Sequence, residues 1–258
     1  MTKPRIFRRS LFGLALNFVL LGGYPNASAE SADDPALSSA SDRCLAASEG
    51  LSLGAPLPQT KQQFQSGAPV TIVALGSSST SGFGAWGDAQ TFPQVMKRKL
   101  SELRPSTRIE VINSGRIMEN IGGSLERIGS EVLPHRPNLV IWQLGTNDVV
   151  WRGIAGNARE SIVTGLRWMK DAGADIVLMD LQYAPLVRIW PRHEDMQRMI
   201  LEAARAEQAG HFPRFDLMKR AMDAGAQGLV SWDGLHNSAE GYDCIGRALA
   251  RMIDEAAR

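Results

Sequence analysis

The sequence predicts an α/β protein in which a mainly parallel sheet lies between two layers of helices, a three-layer α/β/α sandwich. The first observation is a set of short, near-continuous apolar runs rich in Val, Ile and Leu, at 70–75, 108–112, 138–144 and 175–181. Strands of a parallel sheet are covered on both faces, so they read as unbroken apolar runs rather than alternating ones. The second observation is that helical stretches separate these runs, as right-handed crossovers between parallel strands require. A chain of 258 residues, 44% hydrophobic and 21% charged, is long enough to bury such a core.

The stretches between the predicted strands have the periodicity of amphipathic helices. Between 195 and 206 the apolar side chains recur at i, i+3, i+4, i+7 and i+8, on Met196, Met199, Ile200, Ala203 and Ala204. A similar face over 162–169 stops near Gly173, and 239–257 predicts a closing helix. Ligand-binding and active sites in such folds lie at the carboxyl ends of the strands, so site residues are expected in the turns that follow the strands.

Residues 1–29 have the pattern of a secretory signal peptide. Basic residues from Lys3 to Arg9 precede every acidic residue, an apolar run follows at 11–21, and small residues permit cleavage after Ala29. The apolar run is short for a membrane span, and an uncleaved N-terminal anchor is the alternative. The Arg8-Arg9 pair resembles a twin-arginine export signal, with Sec export left open. The expected location is periplasmic or secreted.

The segment 30–68 is rich in Ser, Ala, Pro and Gln and has little apolar periodicity. It is therefore expected to be an N-terminal arm or linker before one domain at 69–258. Cys44 and Cys244 fit an exported protein, because thiols meet an oxidising compartment after export. A disulfide between them would tie the arm to the closing helix, and two buried free thiols are the alternative.

Charge and histidine spacing argue against several classes of function. Cleavage after Ala29 removes four basic and no acidic residues, which leaves 24 Lys and Arg against 27 Asp and Glu, a net charge of −3. Such a chain gives no reason to expect binding to nucleic acid or to anionic membranes, and no stable membrane insertion is expected after cleavage. The histidines at 135, 193, 211 and 236 are too scattered to predict a metal site.

Three short motifs carry polar groups that could do chemistry. The run 76–82, Gly-Ser-Ser-Ser-Thr-Ser-Gly, is either a flexible turn or a strand-to-helix turn that exposes a nucleophilic serine. Asn147 lies in the Gly-Thr-Asn-Asp turn 145–148, which either reverses the chain or presents an amide N–H to a substrate oxygen. Asp233 stands three residues before His236, a distance at which a carboxylate can hold the Nδ1–H of an imidazole.

In this order, the motifs resemble those of the SGNH hydrolases, the GDSL-type esterases and lipases, over about 69–240. The resemblance implies the flavodoxin-like fold of that family, with Ser78 as nucleophile, His236 as base and Asp233 as the acid that orients the base. The backbone N–H of Ser78, the side chain of Asn147 and a backbone N–H after the second strand would form the oxyanion hole.

Two positions depart from the family pattern. Ser77 replaces the usual Asp of the first motif, and little loss is expected because that residue mainly shapes the turn. Met118 stands where the family typically has the glycine that supplies the last oxyanion N–H. Any residue has a backbone N–H, so the donor can survive, although a methionine would narrow the pocket or twist the loop. Gly122 or Gly123 is the alternative donor.

The resemblance implies a serine esterase that needs no cofactor, and the signal pattern at 1–29 indicates that it is exported. Short acyl groups such as acetyl are expected, on a small ester or an acylated glycan, because the mature sequence is polar and has no long apolar lid. An O-acyltransferase acting on envelope glycan or lipid, and an inactive envelope-binding domain, are the alternatives. Aromatic and arginine side chains after the third and fourth predicted strands either line a pocket or pack against the fold, namely Trp151, Arg152, Tyr183, Arg188 and Trp190.

Overall fold

A computed structural model describes residues 39–85 and 87–258, and the predicted signal peptide at 1–29 lies outside these ranges. Within them, five parallel strands form one sheet in the order β2-β1-β3-β4-β5. The strands are β1 Val70–Gly76, β2 Ile109–Gly115, β3 Leu139–Gln143, β4 Asp175–Met179 and β5 Gly210–Phe212. The first four coincide with the predicted apolar runs, whereas the three-residue β5 has no counterpart among them.

Ten α-helices flank the sheet in the part of the chain that the structure describes. They are α1 Ala40–Ala47, α2 Pro58–Ser66, α3 Ser78–Ser81, α4 Phe92–Leu103, α5 Ile121–Arg127, α6 Ala158–Asp171, α7 Pro185–Arg188, α8 His193–Ala206, α9 Arg214–Asp223 and α10 Ala239–Ala256. The two amphipathic faces predicted from the sequence lie on α6 and α8, and the predicted closing helix is α10. None of these described helices is long and apolar enough to cross a bilayer.

The apolar runs of β1, β3 and β4 are continuous because each of these strands faces a separate core on either side. In β1, Val70 and Ile72 lie in a core shared with α4, α9 and α10, whereas Val73 and Leu75 lie in a core shared with α5, α6 and α8. All four side chains are fully buried. The predicted three-layer α/β/α sandwich is therefore confirmed.

Residues 39–68 differ from the expected arm, because they contain α1 and α2, which pack on the first of these cores. Cys44 on α1 and Phe64 on α2 are buried there. The backbone N–H and the hydroxyl of Thr60 donate to the carboxylate of Asp175 at the start of β4, at 2.8 and 2.9 Å. The sequence does not predict these helices because each of them buries only two side chains, which gives little apolar periodicity.

A disulfide joins α1 to α10. It links Cys44 to Cys244, whose Cα atoms are 5.8 Å apart. Beside it, Arg247 on α10 donates to the carboxylate of Asp42 on α1 at 3.0 Å. The N-terminal helix is thus held to the C-terminal one by a covalent bond and an ion pair.

The strand order places a topological switch point between β1 and β3. The chain leaves β1 toward β2 on one side and later forms β3 on the other side. The loops that follow these two strands diverge, and ligands of open α/β sheets bind in the crevice that they leave. The turns 76–82 and 145–148 are these loops, so the fold brings the first two motifs to one crevice.

Candidate active site

Ser78 begins the short helix α3 directly after β1. Gly76 permits this sharp turn, since a Cβ at that position would lie 2.4 Å from Oγ1 of Thr80 and 2.8 Å from the backbone O of Gln143. A tight strand-to-helix turn of this kind lifts a serine hydroxyl clear of the sheet edge.

His236 and Asp233 reach Ser78 from the loop between α9 and α10. Oγ of Ser78 lies 2.9 Å from Nε2 of His236, and Nδ1 of His236 lies 2.6 Å from Oδ2 of Asp233. Because an ionised carboxylate only accepts, Nδ1 carries the hydrogen and Nε2 accepts the proton of the serine hydroxyl. The ring of Phe83 covers the imidazole, with 4.4 Å between the ring centroids. The two motifs are therefore joined by a continuous chain of hydrogen bonds.

The carboxylate of Asp233 is held by three hydrogen bonds. Its Oδ1 accepts the backbone N–H groups of Leu235 and His236, both at 2.9 Å, while Oδ2 accepts from the imidazole. Burial raises the pKa of Asp233, but the hydrogen bonds from His236 and from the backbone outweigh it, and the pKa lies below its usual value. The carboxylate stays ionised and keeps the imidazole in one tautomer.

Asn147 lies in the turn after β3 and is buried. Its Nδ2 donates one hydrogen to the backbone O of Glu119 at 2.7 Å, and the second amide hydrogen remains for a substrate oxygen. Among the described residues, the backbone N–H groups of Ser78 and Met118 donate to no protein acceptor. The φ of Met118 is 62°, the left-handed region that glycine enters freely. Met118 thus has a backbone conformation that favours glycine, the residue type that the family typically has at its position.

Gly122 and Gly123, the alternative donors, lie inside α5 rather than in the loop before it. The N–H of Gly123 donates to Oδ1 of Asn120, which caps the helix at 3.0 Å. Because this N–H is already engaged, the structure favours Met118 over Gly123.

Residues 43–258 match the sequence model of the non-GDSL lipase-like family, which covers most of the chain. The chain belongs to that family. The match begins at 43, so it includes most of α1 and all of α2. Together with the fold, it identifies this non-GDSL lipase-like protein as an SGNH-type hydrolase that acts on ester bonds.

Individual relatives share the fold at low identity. Esterase TesA of Pseudomonas aeruginosa is 24% identical over 173 residues, which are 67% of this chain and 82% of that protein. The crystal structure of a lipase/acylhydrolase from Enterococcus faecalis has a TM-score of 0.62 at 23% identity, covering 72% of this chain and 96% of that one. A two-domain esterase active on acetylated mannans has a TM-score of 0.66 at 16% identity, covering 79% of this chain and 54% of that one.

Gln143 belongs to none of the three motifs, yet in this non-GDSL lipase-like protein it holds the turn that carries Ser78. It ends β3 and is buried. Its Oε1 accepts the backbone N–H and the hydroxyl of Ser77, both at 2.9 Å, and the hydroxyl of Thr80 at 3.1 Å. The only signal in the sequence is a polar residue at the end of an otherwise apolar strand.

A buried ion pair fixes the loop that carries Met118. Arg127 on α5 donates to the carboxylate of Glu119 through Nε at 2.6 Å and also through Nη2, and the two side chains are 7% and 4% exposed. The same guanidinium donates to the backbone O of Ser114, near the end of β2, at 3.0 Å. Since the backbone O of Glu119 in turn holds Asn147, this pair supports both candidate oxyanion donors after β2 and β3. Neither charged residue belongs to a motif, and the sequence analysis missed both.

Arg214 is fully buried and supports the loop that carries Asp233 and His236. Its Nε donates to the backbone O of Asp180 at 2.9 Å, and its Nη2 donates to Oε1 of Gln182 at 2.8 Å. Gln182 then donates to the backbone O of Leu235 at 3.0 Å. Burial lowers the pKa of Arg214 to about 10, against the opposing charge of Asp180, so the guanidinium is charged at neutral pH.

The residues predicted to line a pocket fall into two groups. Trp151 and Trp190 are 54% and 44% exposed, and Arg188 is exposed beside them. Tyr183 is half-buried, with the guanidinium of Arg188 lying 4.5 Å over its ring and Phe215 meeting it edge-on at 5.1 Å. Tyr183 therefore packs within the fold, whereas the two tryptophans are free to contact a ligand.

Proposed function

We propose that this enzyme is an exported serine esterase that hydrolyses carboxylic esters with short acyl groups through an acyl-enzyme. The observation that carries the proposal is the hydrogen-bond chain from Asp233 through His236 to Ser78. An inactive binding domain has no need of such a chain, in which the carboxylate fixes the orientation of the base and the base accepts a hydrogen bond from the nucleophile.

Acylation begins when Oγ of Ser78 attacks the ester carbonyl carbon and its proton passes to Nε2 of His236. The carbonyl oxygen becomes an oxyanion, and Asp233 stabilises the imidazolium that forms. The oxyanion accepts hydrogen bonds from the backbone N–H groups of Ser78 and Met118 and from the free amide hydrogen of Asn147. Removing one such donor raises the barrier by about 3 to 4 kcal/mol.

The acyl-enzyme forms when the tetrahedral intermediate collapses. The bond to the alcohol oxygen breaks, and the imidazolium of His236 gives its proton to that leaving oxygen. Water then attacks the acyl carbon while Nε2 takes one of its protons, and collapse of the second intermediate returns the proton to Oγ of Ser78. The products are a carboxylic acid and an alcohol, and no cofactor takes part.

Short acyl groups and export rest on different observations. A structural relative is an esterase active on acetylated mannans, which supports an acetyl ester on a glycan as the kind of substrate to test. Export is supported by the signal pattern at 1–29 and by the disulfide between Cys44 and Cys244, because structural disulfides persist in oxidising compartments.

The proposed nucleophile can be tested against its two neighbours. Ser78→Ala should abolish labelling by a fluorophosphonate and lower kcat by roughly 10⁴ or more. Ser79→Ala should keep both labelling and most of the activity. Ser77→Ala should be labelled as well, although it loses a hydrogen bond to Gln143. If Ser79→Ala is the inactive variant, Ser79 is the nucleophile and the first motif is assigned one residue out of place. If the fluorophosphonate never labels the wild type, the serine mechanism is wrong.

The acyl preference can be measured with p-nitrophenyl esters from acetate to palmitate. We expect kcat/KM to be highest for acetate or butyrate and to fall with longer chains. A maximum at palmitate would overturn the short-acyl proposal and leave the serine mechanism untouched.

Signal cleavage can be tested by mass spectrometry of the protein from its native cells, which should give a chain that begins at Glu30. An intact Met1 would contradict signal cleavage.

A further inference from the structure

The catalytic crevice is surrounded by exposed apolar side chains. Nine large hydrophobic residues are exposed in the part of the chain that the structure describes, and only Leu103 and Trp168 lie on helix surfaces away from the crevice. The other seven are Phe83, Ile117, Met118, Trp151, Ile189, Trp190 and Trp232. Clusters of exposed apolar groups mark interaction surfaces, whereas single ones do not. We call the segments 83–85, 116–118, 151–153 and 185–192, with Trp232, the apolar rim.

The rim segments are each connected to the catalytic groups. Phe83 covers His236 at 4.4 Å between ring centroids, and Trp232 immediately precedes Asp233. The backbone N–H of Leu186 donates to the backbone O of Gly234 at 3.0 Å, which joins the segment 185–192 to the catalytic loop.

The remaining two segments adjoin the oxyanion side of the crevice. Met118 precedes Glu119, whose backbone O holds Asn147. Trp151 follows in the π-helical turn Asp148–Arg152, which begins directly after Asn147. All the rim segments therefore border the same crevice.

The rim segments are rich in arginine although the whole mature chain has an excess of acidic residues. These segments contain four arginines and no acidic residue. Arg116 pairs with Glu131, and Arg192 lies 3.7 Å from a carboxylate oxygen of Asp195. The charge of Arg152 acts on the buried carboxyl group of Asp148, and the guanidinium of Arg188 lies 4.5 Å over the ring of Tyr183. The net charge of −3 gave no reason to expect an anionic partner, whereas the four arginines of the rim segments provide one.

The chemistry of the rim favours a lipid surface over a glycan chain. Sugars stack on aromatic rings, but Ile117 and Ile189 are 60% and 67% exposed and offer neither a ring nor a hydrogen bond. Tryptophan, aliphatic side chains and arginine together are the composition of surfaces that lie at the interface of anionic bilayers. Trp232 is 98% exposed at the edge of this surface, where it can enter the headgroup layer without any rearrangement.

We propose that the apolar rim docks the enzyme peripherally on anionic lipid bilayers, so that esters carried at the bilayer surface are presented to Ser78. The catalytic consequence of docking rests on the proposed function, whereas docking itself does not. No segment crosses the bilayer in this arrangement, and the acyl group that is cleaved can still be short.

Docking can be measured without catalysis by using Ser78→Ala protein, so that its failure is distinct from failure of the esterase proposal. Sedimentation with phosphatidylcholine vesicles containing phosphatidylglycerol should retain the protein, whereas vesicles of phosphatidylcholine alone should retain little. Raising the salt from about 0.1 M to about 0.5 M should weaken retention several-fold, because exposed charges are screened. Adding Ile189→Ser and Trp232→Ser together should lower the partition coefficient about tenfold.

Trp168→Ser is the matched control, since Trp168 is 47% exposed on α6, outside the rim. It should leave retention unchanged, and thermal unfolding should confirm that every variant is folded. Equal losses in the control and the rim variant would overturn the proposal, as would no retention by any vesicle. Retardation on an acetylated xylan gel with no vesicle binding would make the rim a glycan-binding surface and would also overturn it.

Discussion

Asn147, which we propose as an oxyanion donor, has its side chain held in place before any substrate arrives. The backbone O of Glu119 holds one hydrogen of its amide at 2.7 Å. Because the amide group is planar, the direction of the second hydrogen is then fixed as well. Donors fixed in advance do not need to reorganise when charge develops, and this is the main source of their catalytic effect.

Asn147→Ala should therefore lower kcat by about 10² to 10³ and change KM little, because the oxyanion exists only along the reaction and not in the bound ester. Asn157→Ala is the matched control: Asn157 precedes α6, is exposed, and makes no capping hydrogen bond with its side chain. Steady-state kinetics on a p-nitrophenyl ester provide the measurement. Equal kcat values for the two variants would remove Asn147 from the oxyanion hole.

The sequence predicts site residues that lie within short motifs and misses those that act across the fold. Asp233 and His236 are three residues apart, so their contact follows from local geometry. Arg127, Gln143 and Arg214 act on groups that only the folded chain brings near them. Their burial as polar side chains could not be foreseen, because a polar residue in a helix or at a strand end is most often exposed.

At the scale of elements, the end of β3 and the start of α3 form one unit through Gln143. Its side chain is the acceptor for three hydrogens from the turn that carries the proposed nucleophile. Parallel strands alone would align the ends of β1 and β3, but would leave the hydroxyls and the N–H of that turn without partners. A buried donor without an acceptor costs about 1 to 3 kcal/mol.

Gln143→Leu should lower the free energy of unfolding by roughly 3 kcal/mol, because it leaves three donors without an acceptor. It should also lower kcat, since the turn no longer holds Ser78 in one position. Urea unfolding and steady-state kinetics would measure the two effects. A variant as stable and as active as the wild type would show that water replaces the amide at no cost.

A second contact between elements involves the carboxyl group of Asp148, which accepts the backbone N–H of Ile121 at the start of α5 at 3.2 Å. Burial raises the pKa of Asp148 from 3.8 to about 6. Between these values the folded chain holds a proton that the unfolded chain has lost, so the contribution of this group to stability falls as the pH rises from about 4 to 6. Above pH 6 its contribution is constant.

Asp148→Asn should remove this dependence of stability on pH. The difference in unfolding free energy between variant and wild type should change by on the order of 2 to 3 kcal/mol from pH 4 to pH 7, in favour of the variant at the higher pH. Urea unfolding at several pH values would test it. Parallel pH profiles for the two proteins would contradict the raised pKa.

Most of the elements that the sequence predicts bury a whole face. The strands β1, β3 and β4 and the helices α6, α8 and α10 do so, whereas the edge strand β2 is only partly buried and is predicted from its Ile and Val residues. The strand β5 has three residues, and α1 and α2 each bury two side chains, so their patterns are too weak to identify them. Their stability comes from tertiary contacts, such as the hydrogen bonds of Thr60 to Asp175.

At the scale of the whole molecule, the two ends of the described chain close one face of the sheet together. The helix α1 packs against α9 and α10, and the disulfide from Cys44 to Cys244 spans 200 residues. Nearly the entire folded domain lies inside this covalent loop. A cross-link of this span restricts the unfolded chain strongly and stabilises the folded one by about 5 kcal/mol in the chain-entropy model.

Replacing both cysteines by alanine should therefore lower the free energy of unfolding by about 3 to 5 kcal/mol, which corresponds to a fall in Tm on the order of 10 °C. Dithiothreitol should lower the Tm of the wild type toward that of the variant, slowly, because both sulfurs are fully buried and become accessible only when the chain opens. The double variant is the control, since the reductant has no bond to break in it and its Tm should not change. If the wild type and the variant unfold at the same temperature, the contacts between α1 and α10, including the ion pair of Arg247 with Asp42, are sufficient without the covalent bond.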